Sequence, residues 1–348
     1  MRNKSLSSKK VYVGWDIGGA NTKIVVLDEN LNFIYSNKFY LPIWESFSQI
    51  KETISYCLAS IHKYDLFHLV TFTAESCDNF DNRSVAIKSL ARICHKLLGK
   101  NLKFYSNKNK YENFKYVINN PLTFASSNWV PYRSFLIKKY KYDIAIDLGS
   151  TTTDIIPNKT FRKIGISDFE RINMGTLLYF GVERTPLSML LDNINVNKKK
   201  IHLLNEFYAR SSDVFLLSKD LLGCDVLSKN CDGRSNSLDN CRKRLLRQFG
   251  LDLNQKNFGL SNRIVKAIKN DIIENIDSLV KQHVKKNDTV KIFGTGQGEF
   301  LLKELCKKKK YIFYSSSNML EANYPIKKSK LIKDNFTAYL VIRNFLNK

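Results

Sequence analysis

Several patterns that would define a function directly are missing from this chain of 348 residues. Its seven cysteines form no CxxC pair, and no cysteine and histidine have zinc-finger spacing. None of the five histidines has a second histidine four residues away, so a helical metal site is not expected. No stretch approaches eighteen uninterrupted apolar residues, the length that a transmembrane helix requires. We therefore expect reduced thiols, a cytoplasmic location and no membrane partner.

Acidic residues are also scarce, since 32 Asp and Glu face 56 Lys and Arg and give a formal net charge of +24. Such an excess usually raises nucleic acid as a partner. However, 42 of the basic residues are Lys and only 14 are Arg, and the Lys residues are scattered among many Asn and Ile, as in an AT-rich coding bias. Proteins that read phosphates and bases rely on the planar guanidinium of Arg. We expect small-molecule substrates and no nucleic-acid partner.

The chain has enough apolar residues to form ordered domains. Hydrophobic residues make up 43% of it and aromatic residues 12%, which excludes general disorder, and the length favours two domains. Short β-branched runs predict strands over residues 11–16 and 24–28, joined by a glycine turn at 17–23. A third strand is expected over 33–39, and apolar residues at helical spacing predict a helix over 46–64.

The same order of strand, glycine turn and strand returns in the second half. Residues 142–147 and 153–157 read as strands around a turn at 148–152, and a third glycine turn within 292–300 lies between a strand and a helix. Helical patterns at 245–253 and 265–280 are expected to cover the second sheet. The repetition predicts an N-terminal domain over 1–141 and a C-terminal domain over 142–348.

The three glycine turns have the chemistry of phosphate-binding loops. Glycine lets backbone N–H groups approach an anion closely, and Ser and Thr hydroxyls add donors. Asp16 and Asp147 end the strands before the first two turns and supply the oxygen ligands that a magnesium ion prefers, whereas a single such turn is as often an ordinary hairpin. The predicted phosphate-binding residues are Gly18, Gly19, Asn21, Thr22, Lys23, Gly149, Ser150, Thr151, Thr152, Gly294, Gly296 and Gly298.

Motifs spread over the chain carry a family resemblance. They lie at residues 16–23, 73–83, 125–129, 147–157, 175–186 and 206–213. The set of loops resembles the actin, sugar-kinase and Hsp70 superfamily, which implies an α/β fold with two ribonuclease-H-like (actin-like ATPase) domains around a central cleft. Within it the chain is similar to the hydantoinase A/oxoprolinase group, and more narrowly to tetrahydromethanopterin-linked one-carbon transfer proteins of the methanofuran-biosynthesis synthase type.

This resemblance implies a transferase that joins an aminomethylfuran methyl diphosphate to the phenol oxygen of γ-glutamyltyramine and releases diphosphate. Magnesium and a diphosphate substrate are the implied ligands. Loops that hold such a diphosphate would hold ATP equally well, so a small-molecule kinase or an oxoprolinase-like hydrolase stays open. A non-catalytic nucleotide-binding scaffold is disfavoured, because it has no need of two strand-end aspartates.

The remaining candidates are polar residues in the motifs that carry the resemblance. Asp147 and Asp154 flank the second turn and are candidate catalytic carboxylates, and Glu75 is a weaker candidate for a base or a substrate contact. Arg184 is a candidate clamp for a phosphate or carboxylate, the alternative being a surface Arg before a Pro-led helix. Asn128 is a candidate for substrate contact.

Overall fold

The computed structural model describes residues 9–139, 142–158, 164–284 and 289–347, except the side chains of 136–139. The strands are β1 (Lys10–Gly18), β2 (Asn21–Asp28), β3 (Phe33–Tyr40), β4 (Asp65–Thr73), β5 (Leu102–Tyr105), β6 (Tyr111–Glu112), β7 (Ile144–Leu148), β8 (Thr153–Pro157), β9 (Leu177–Leu178), β10 (Asn193–Val196), β11 (Lys199–His202), β12 (Lys291–Thr295) and β13 (Ile312–Ser315).

Helices follow the strands in both halves of the chain. They are α1 (Gln49–Ile61), α2 (Arg83–Leu98), α3 (Phe114–Asn119), α4 (Val130–Lys139), α5 (Asp168–Asn173), α6 (Leu187–Leu190), α7 (Ser211–Leu217), α8 (Leu238–Arg247), α9 (Gln255–His283), α10 (Glu299–Lys309), α11 (Ser316–Glu321), α12 (Ile326–Asp334) and α13 (Phe336–Leu346). Within the ranges that the structure describes, none of these helices combines the length and the apolarity needed to cross a membrane.

The chain forms two compact units that are not contiguous in sequence. The first contains the described parts of 1–141, 165–170 and 316–348, and the second those of 142–164 and 171–315. Each unit has its own core of buried apolar side chains. Each is built on its own sheet, which is covered by helices.

The two units share a five-stranded arrangement, which β6 extends at one edge of the first sheet. In the first unit the order is β3-β2-β1-β4-β5-β6, where β1 runs antiparallel to β2 and parallel to β4. In the second it is β9-β8-β7-β12-β13, where β7 runs antiparallel to β8 and parallel to β12. Three antiparallel strands followed by two parallel ones, in this order, form the ribonuclease-H-like sheet. The α/β fold class with two such domains is thereby confirmed.

Most of the predicted elements exist with small shifts in their ends. The strand expected at 33–39 is β3, and the helix expected at 46–64 is the shorter α1. The helical pattern at 265–280 lies within α9, where buried residues recur every fourth position at Ile264, Ile268, Ile272, Ile276 and Val280. This spacing keeps one face of the helix against the core of the second unit.

One predicted helix is misplaced, because residues 245–253 do not form a single helix. The observed α8 starts where the Ser237 hydroxyl accepts a hydrogen bond from the backbone N–H of Asn240, and it ends at Arg247. Gly250 follows with φ of 68°, a left-handed conformation that stops a helix. The apolar residues beyond that point extend the core without extending the helix.

The predicted division into 1–141 and 142–348 differs from the compact units at the C-terminus. Residues 316–348 pack with the first unit, where α13 lies on β1. This approach depends on Gly14, because a Cβ atom there would lie 2.1 Å from the backbone oxygen of Ala338. The hydroxyl of Tyr111 also donates to the backbone oxygen of Val341, over 2.6 Å. Because Gly14 has no side chain, the last helix can pack directly on β1.

Candidate functional site

The first glycine turn, residues 18–23 (the first loop), joins β1 to β2 beside an ion pair. Asp16 and Lys23 face each other across the two antiparallel strands, and Lys23 Nζ lies 3.1 Å from Asp16 Oδ2. Asp16 is only 4% exposed, and its Oδ1 has no hydrogen-bond partner among the residues that the structure describes. One oxygen of this carboxylate thus orients the lysine, while the other is available to a ligand.

Glu75 lies in a segment that packs on the first loop. The segment, residues 73–77, follows β4, which is parallel to β1 and places Thr73 beside Gly18. A Cβ atom on Gly18 would lie 3.1 Å from Thr73 Oγ1, and one on Gly19 would lie 3.0 Å from Cys77 Sγ. Both glycines therefore let this segment come close to the loop, with Glu75 in its middle.

The carboxyl group of Glu75 is buried and has no cationic partner among the described residues. Ser126 Oγ donates a hydrogen bond to Glu75 Oε1 over 2.5 Å, and Glu75 Oε2 has no partner within the described ranges. Burial raises the pKa of Glu75 to about 7, although the Ser126 hydrogen bond opposes this shift. The group can therefore exchange a proton near neutral pH.

The serine that holds Glu75 is itself fixed by its neighbour. Ser126 has φ of 46°, in the left-handed region. Ser127 anchors the chain directly after it, because its backbone N–H donates to Phe72 and its hydroxyl lies 2.7 Å from the Thr71 hydroxyl. The predicted contact residue Asn128 follows and is half-buried.

The second loop, residues 149–152, joins β7 to β8 and is held by the segment 181–184. The backbone N–H groups of Glu183 and Arg184 both donate to the backbone oxygen of Ser150, over 3.1 and 2.9 Å. Arg184 Nη1 also donates to Thr151 Oγ1 over 3.3 Å. The structure therefore places the predicted Arg184 at the second loop, where its guanidinium stabilises the hydroxyl-bearing turn.

The third loop, residues 294–298, packs against the end of β7. The backbone N–H of Gly298 donates to the backbone oxygen of Leu148 over 2.8 Å. Gly296 has φ of 89°, and a Cβ atom there would lie 2.5 Å from Asp147 Oδ1. A Cβ atom on Gly294 would lie 2.4 Å from the ring of Phe313, so this glycine lets the ring pack against β12. Asp147 is thus bordered by both loops of the second unit.

Replacing Gly296 by alanine should destabilise the protein more than the same change at Gly233. Both glycines have positive φ, 89° and 67°, but a Cβ atom on Gly233 meets nothing within 4 Å. Gly233→Ala should therefore cost about 1 kcal/mol of conformational strain. Gly296→Ala should cost about 1–3 kcal/mol more because of the clash with the end of β7. Urea unfolding of both variants measures this difference, and equal losses would contradict the contact.

Asp154, a predicted catalytic carboxylate, lies in a buried ion pair. It faces Asp147 across the β7–β8 ladder, and Arg171 Nη1 donates to its Oδ1 over 2.7 Å. Arg171 is 1% exposed and also donates to the backbone oxygen of Thr176. The guanidinium neutralises one of two neighbouring carboxylates, which gives Asp154 a structural contact that the sequence does not indicate.

Taken separately, the loops of each unit carry buried polar atoms that would suit a hydrated magnesium ion rather than a site made of protein ligands alone. Within the described ranges, no group of three or more His, Cys, Asp or Glu side chains is placed to hold a metal ion. Magnesium, however, usually keeps several waters and binds through one or two carboxylates together with substrate phosphates. Buried atoms near the loops that have no described hydrogen-bond partner are Asp16 Oδ1, Asn21 Oδ1, Thr22 Oγ1, Glu75 Oε2, Thr295 Oγ1 and Gln297 Oε1. Buried polar atoms of this kind usually bind a water molecule or an ion.

Several residues at the loops are absent from the sequence-based prediction. Cys77 and Ser126 lie in segments that carry the resemblance but are not themselves predicted site residues, and Arg171 lies in a short helix that no motif covers. One feature of the sequence does point to such a residue. Two Asp side chains on neighbouring strands require a positively charged partner if one of them is buried. The sequence does not say which arginine this partner is.

Comparison with known proteins agrees with this architecture. A synthase of Methanocaldococcus jannaschii, named for (4-{4-[2-(γ-L-glutamylamino)ethyl]phenoxymethyl}furan-2-yl)methanamine, is 27% identical over 302 residues, which cover 85% of this chain and 88% of that protein. The Methanococcus vannielii synthase of the same name is 29% identical over 220 residues, which cover 59% and 92%. Both relatives are enzymes by name.

A solved structure shares the fold, and a family profile assigns the chain. Nucleotide-free acetone carboxylase superimposes with a TM-score of 0.56 at 9% identity, over 95% of this chain and 69% of that one, a likeness of fold alone. The profile described as hydantoinase/oxoprolinase matches residues 110–319, which is more than half of the sequence. The chain belongs to the hydantoinase/oxoprolinase family.

Proposed function

We propose that this protein is a transferase of methanofuran-type cofactor biosynthesis, which serves tetrahydromethanopterin-linked one-carbon metabolism. It joins the methyl carbon of an aminomethylfuran methyl diphosphate to the phenol oxygen of γ-glutamyltyramine. The carbon–oxygen bond to the diphosphate breaks, an aryl ether forms, and diphosphate leaves with the bonding electrons. The phenol proton passes to a base.

The observation that carries this proposal is the similarity to the Methanocaldococcus jannaschii synthase over 85% of the chain. The product in that name contains a phenoxymethylfuran ether, which is the bond that this reaction would make. The loops support the proposal independently, because turns rich in backbone N–H donors and hydroxyls suit an anion such as a diphosphate.

In the first unit the proposed phosphate-binding groups are the first loop and Lys23, and in the second unit they are the second and third loops with Arg184. Backbone N–H groups and these two cations would stabilise the negative charge that grows on the departing diphosphate. Asp16 and Asp147 are the proposed magnesium ligands. The ion, when bound, would neutralise phosphate charge. We assign Asp154 to holding Arg171 and not to a chemical step.

A second candidate is an ATP-using kinase or hydrolase of the same family. The match to the hydantoinase/oxoprolinase profile favours it, because that match covers the second and third loops. A nucleotide carries the same phosphate groups that these loops suit, so the loops do not distinguish the two candidates. The distinction lies in which diphosphate compound is consumed.

The test is a reaction of the purified protein with magnesium, the aminomethylfuran methyl diphosphate and γ-glutamyltyramine. We expect diphosphate and the aryl ether to appear in equal amounts when both are measured by mass spectrometry, with no requirement for ATP. A parallel reaction replaces the furan substrate by ATP. Consumption of ATP, with no ether in the first reaction, would refute the transferase and favour the second candidate.

Diphosphate binding at the first loop should protect Cys77 from alkylation. The Cys77 thiol lies beside Gly19, so an anion in the loop would cover it, whereas Cys231 is exposed and its thiol donates to the backbone oxygen of Tyr208. When the concentration of magnesium diphosphate is tenfold above its Kd, only about a tenth of the sites are free. Alkylation of Cys77 by N-ethylmaleimide should therefore slow about tenfold. Peptide mass spectrometry gives both rates. Equal protection of Cys231, or none of Cys77, would count against binding at this loop.

A further inference from the structure

The carboxylates near the loops differ in whether a Lys or Arg side chain is already paired with them. Asp16 binds Lys23 over 3.1 Å, and Asp154 binds Arg171 over 2.7 Å. Asp16 and Asp154 are therefore already engaged with a positively charged side chain.

Glu75 differs from Asp16 and Asp154 in its partners. It is 3% exposed, it pairs with no Lys, Arg or His of the described chain, and its only hydrogen-bond donor from a side chain is Ser126 at Oε1. The second oxygen, Oε2, is buried and has no partner within the described residues. One oxygen is therefore fixed by Ser126, and the other is left without a hydrogen-bond partner among the described residues.

The position of Glu75 suits a substrate in the first loop. Its segment contacts the loop on both sides of it, through Thr73 beside Gly18 and Cys77 beside Gly19. The parallel strands β1 and β4 also end at the same edge of the sheet, where the loop and this segment emerge. A phenol that attacks a carbon held through its diphosphate in the first loop would approach this edge.

We propose that Glu75 is the catalytic residue that accepts the phenol proton of the acceptor, an inference that rests on the proposed transferase. As the carbon–oxygen bond to the diphosphate breaks, the phenol oxygen forms the ether bond and its proton moves to Glu75 Oε2. Diphosphate leaves with the electron pair of the broken bond. The proton on Glu75 is then released to solvent when the products leave.

The surroundings of Glu75 set the pH at which it can act. Burial is the main cause that raises the pKa of Glu75 to about 7, the Ser126 hydroxyl opposes this rise, and the charge of Asp168 on α5 adds to it. The other ionisable groups of adjoining segments are the Cys77 thiol and the paired Asp16 and Lys23. Because a base acts in its ionised form, the rate of transfer should rise as pH passes through about 7.

The test compares wild type, Glu75→Gln and Glu75→Asp with two acceptors. With γ-glutamyltyramine, Glu75→Gln should lower kcat by about 10²–10⁴-fold, the usual contribution of a general base, and should abolish the rise with pH. Glu75→Asp should retain part of the rate and the rise. With a polyfluorinated acceptor, whose phenol is already ionised at neutral pH, the defect of Glu75→Gln should shrink to less than about tenfold, because no proton has to be removed.

Ser126→Ala is a further variant that should shift the pKa of Glu75 without removing its carboxyl group. It takes away a hydrogen bond that lowers the pKa of Glu75, so the rise of rate should move to higher pH. A Glu75→Gln enzyme with near-wild-type kcat, or with an equal defect on both acceptors, would overturn the role as base. Protection of Cys77 by magnesium diphosphate confirms that each variant is folded and binds. A wild type that makes no ether would overturn the transferase itself, and this proposal with it.

Discussion

Replacing Asp147 by asparagine should lower the rate of diphosphate release by about 10³-fold, which corresponds to about 4 kcal/mol. Asp147 ends β7 between the second and third loops, with Gly296 pressed against its Oδ1. Asparagine keeps the shape of the side chain but removes the negative charge that magnesium requires. Isothermal titration should also show that magnesium no longer strengthens the binding of diphosphate.

The matched control is Asp143→Asn, the same change four residues earlier in the chain, directly before the start of β7. Asp143 Oδ2 accepts a hydrogen bond from the backbone N–H of Lys291, and an asparagine oxygen can also accept it. This variant should keep activity within about twofold, since it lies away from the loops. Full activity of Asp147→Asn, or an equal loss in both variants, would remove Asp147 from the mechanism.

Replacing Arg171 by methionine should lower the free energy of unfolding by about 3–5 kcal/mol. Arg171 and Asp154 are 1% and 4% exposed, and Asp154 lies opposite Asp147 on the neighbouring strand. Without the guanidinium, a buried carboxylate would lose its counter-charge beside a second carboxylate. Urea unfolding at neutral pH measures the loss.

Two comparisons separate this effect from a general loss of packing. The double variant Asp154→Leu with Arg171→Met removes both charges and should recover most of the stability, because apolar residues can replace a buried ion pair at little cost. Lys308→Met breaks an exposed pair with Glu304 and should change stability by less than about 1 kcal/mol. If Arg171→Met lost no more than Lys308→Met, the buried pair would not stabilise the second unit.

Local sequence patterns predict much of the sheet architecture and little of what holds it together. The β-branched runs on each side of the first two glycine turns predict β1, β2, β7 and β8. Both the runs and the glycines are local features of the sequence. They did not place residues 316–348 on the first unit, since this depends on the contact of Gly14 with Ala338, more than 300 residues apart. Contacts of this kind leave no pattern in either segment alone.

The candidate site shows the same division between local and distant signals. Asp16 and Lys23 face each other because seven residues and a tight turn separate them, so their pairing follows from the hairpin. The environment of Glu75 depends on Ser126, which a separate segment delivers. Asp154 reads as catalytic in sequence because Arg171, which neutralises it, comes from a helix beyond the hairpin. Which carboxylate can act as a base is therefore decided by packing.

The most direct test of the proposed reaction follows the phenol oxygen. γ-Glutamyltyramine labelled with ¹⁸O at the phenol is allowed to react with the aminomethylfuran methyl diphosphate. The ¹⁸O content of both products is then measured by mass spectrometry. Attack on carbon predicts that all of the label lies in the aryl ether and none in the released diphosphate. Label in a phosphate ester of the phenol, or ATP consumed with no ether formed, would contradict the transferase.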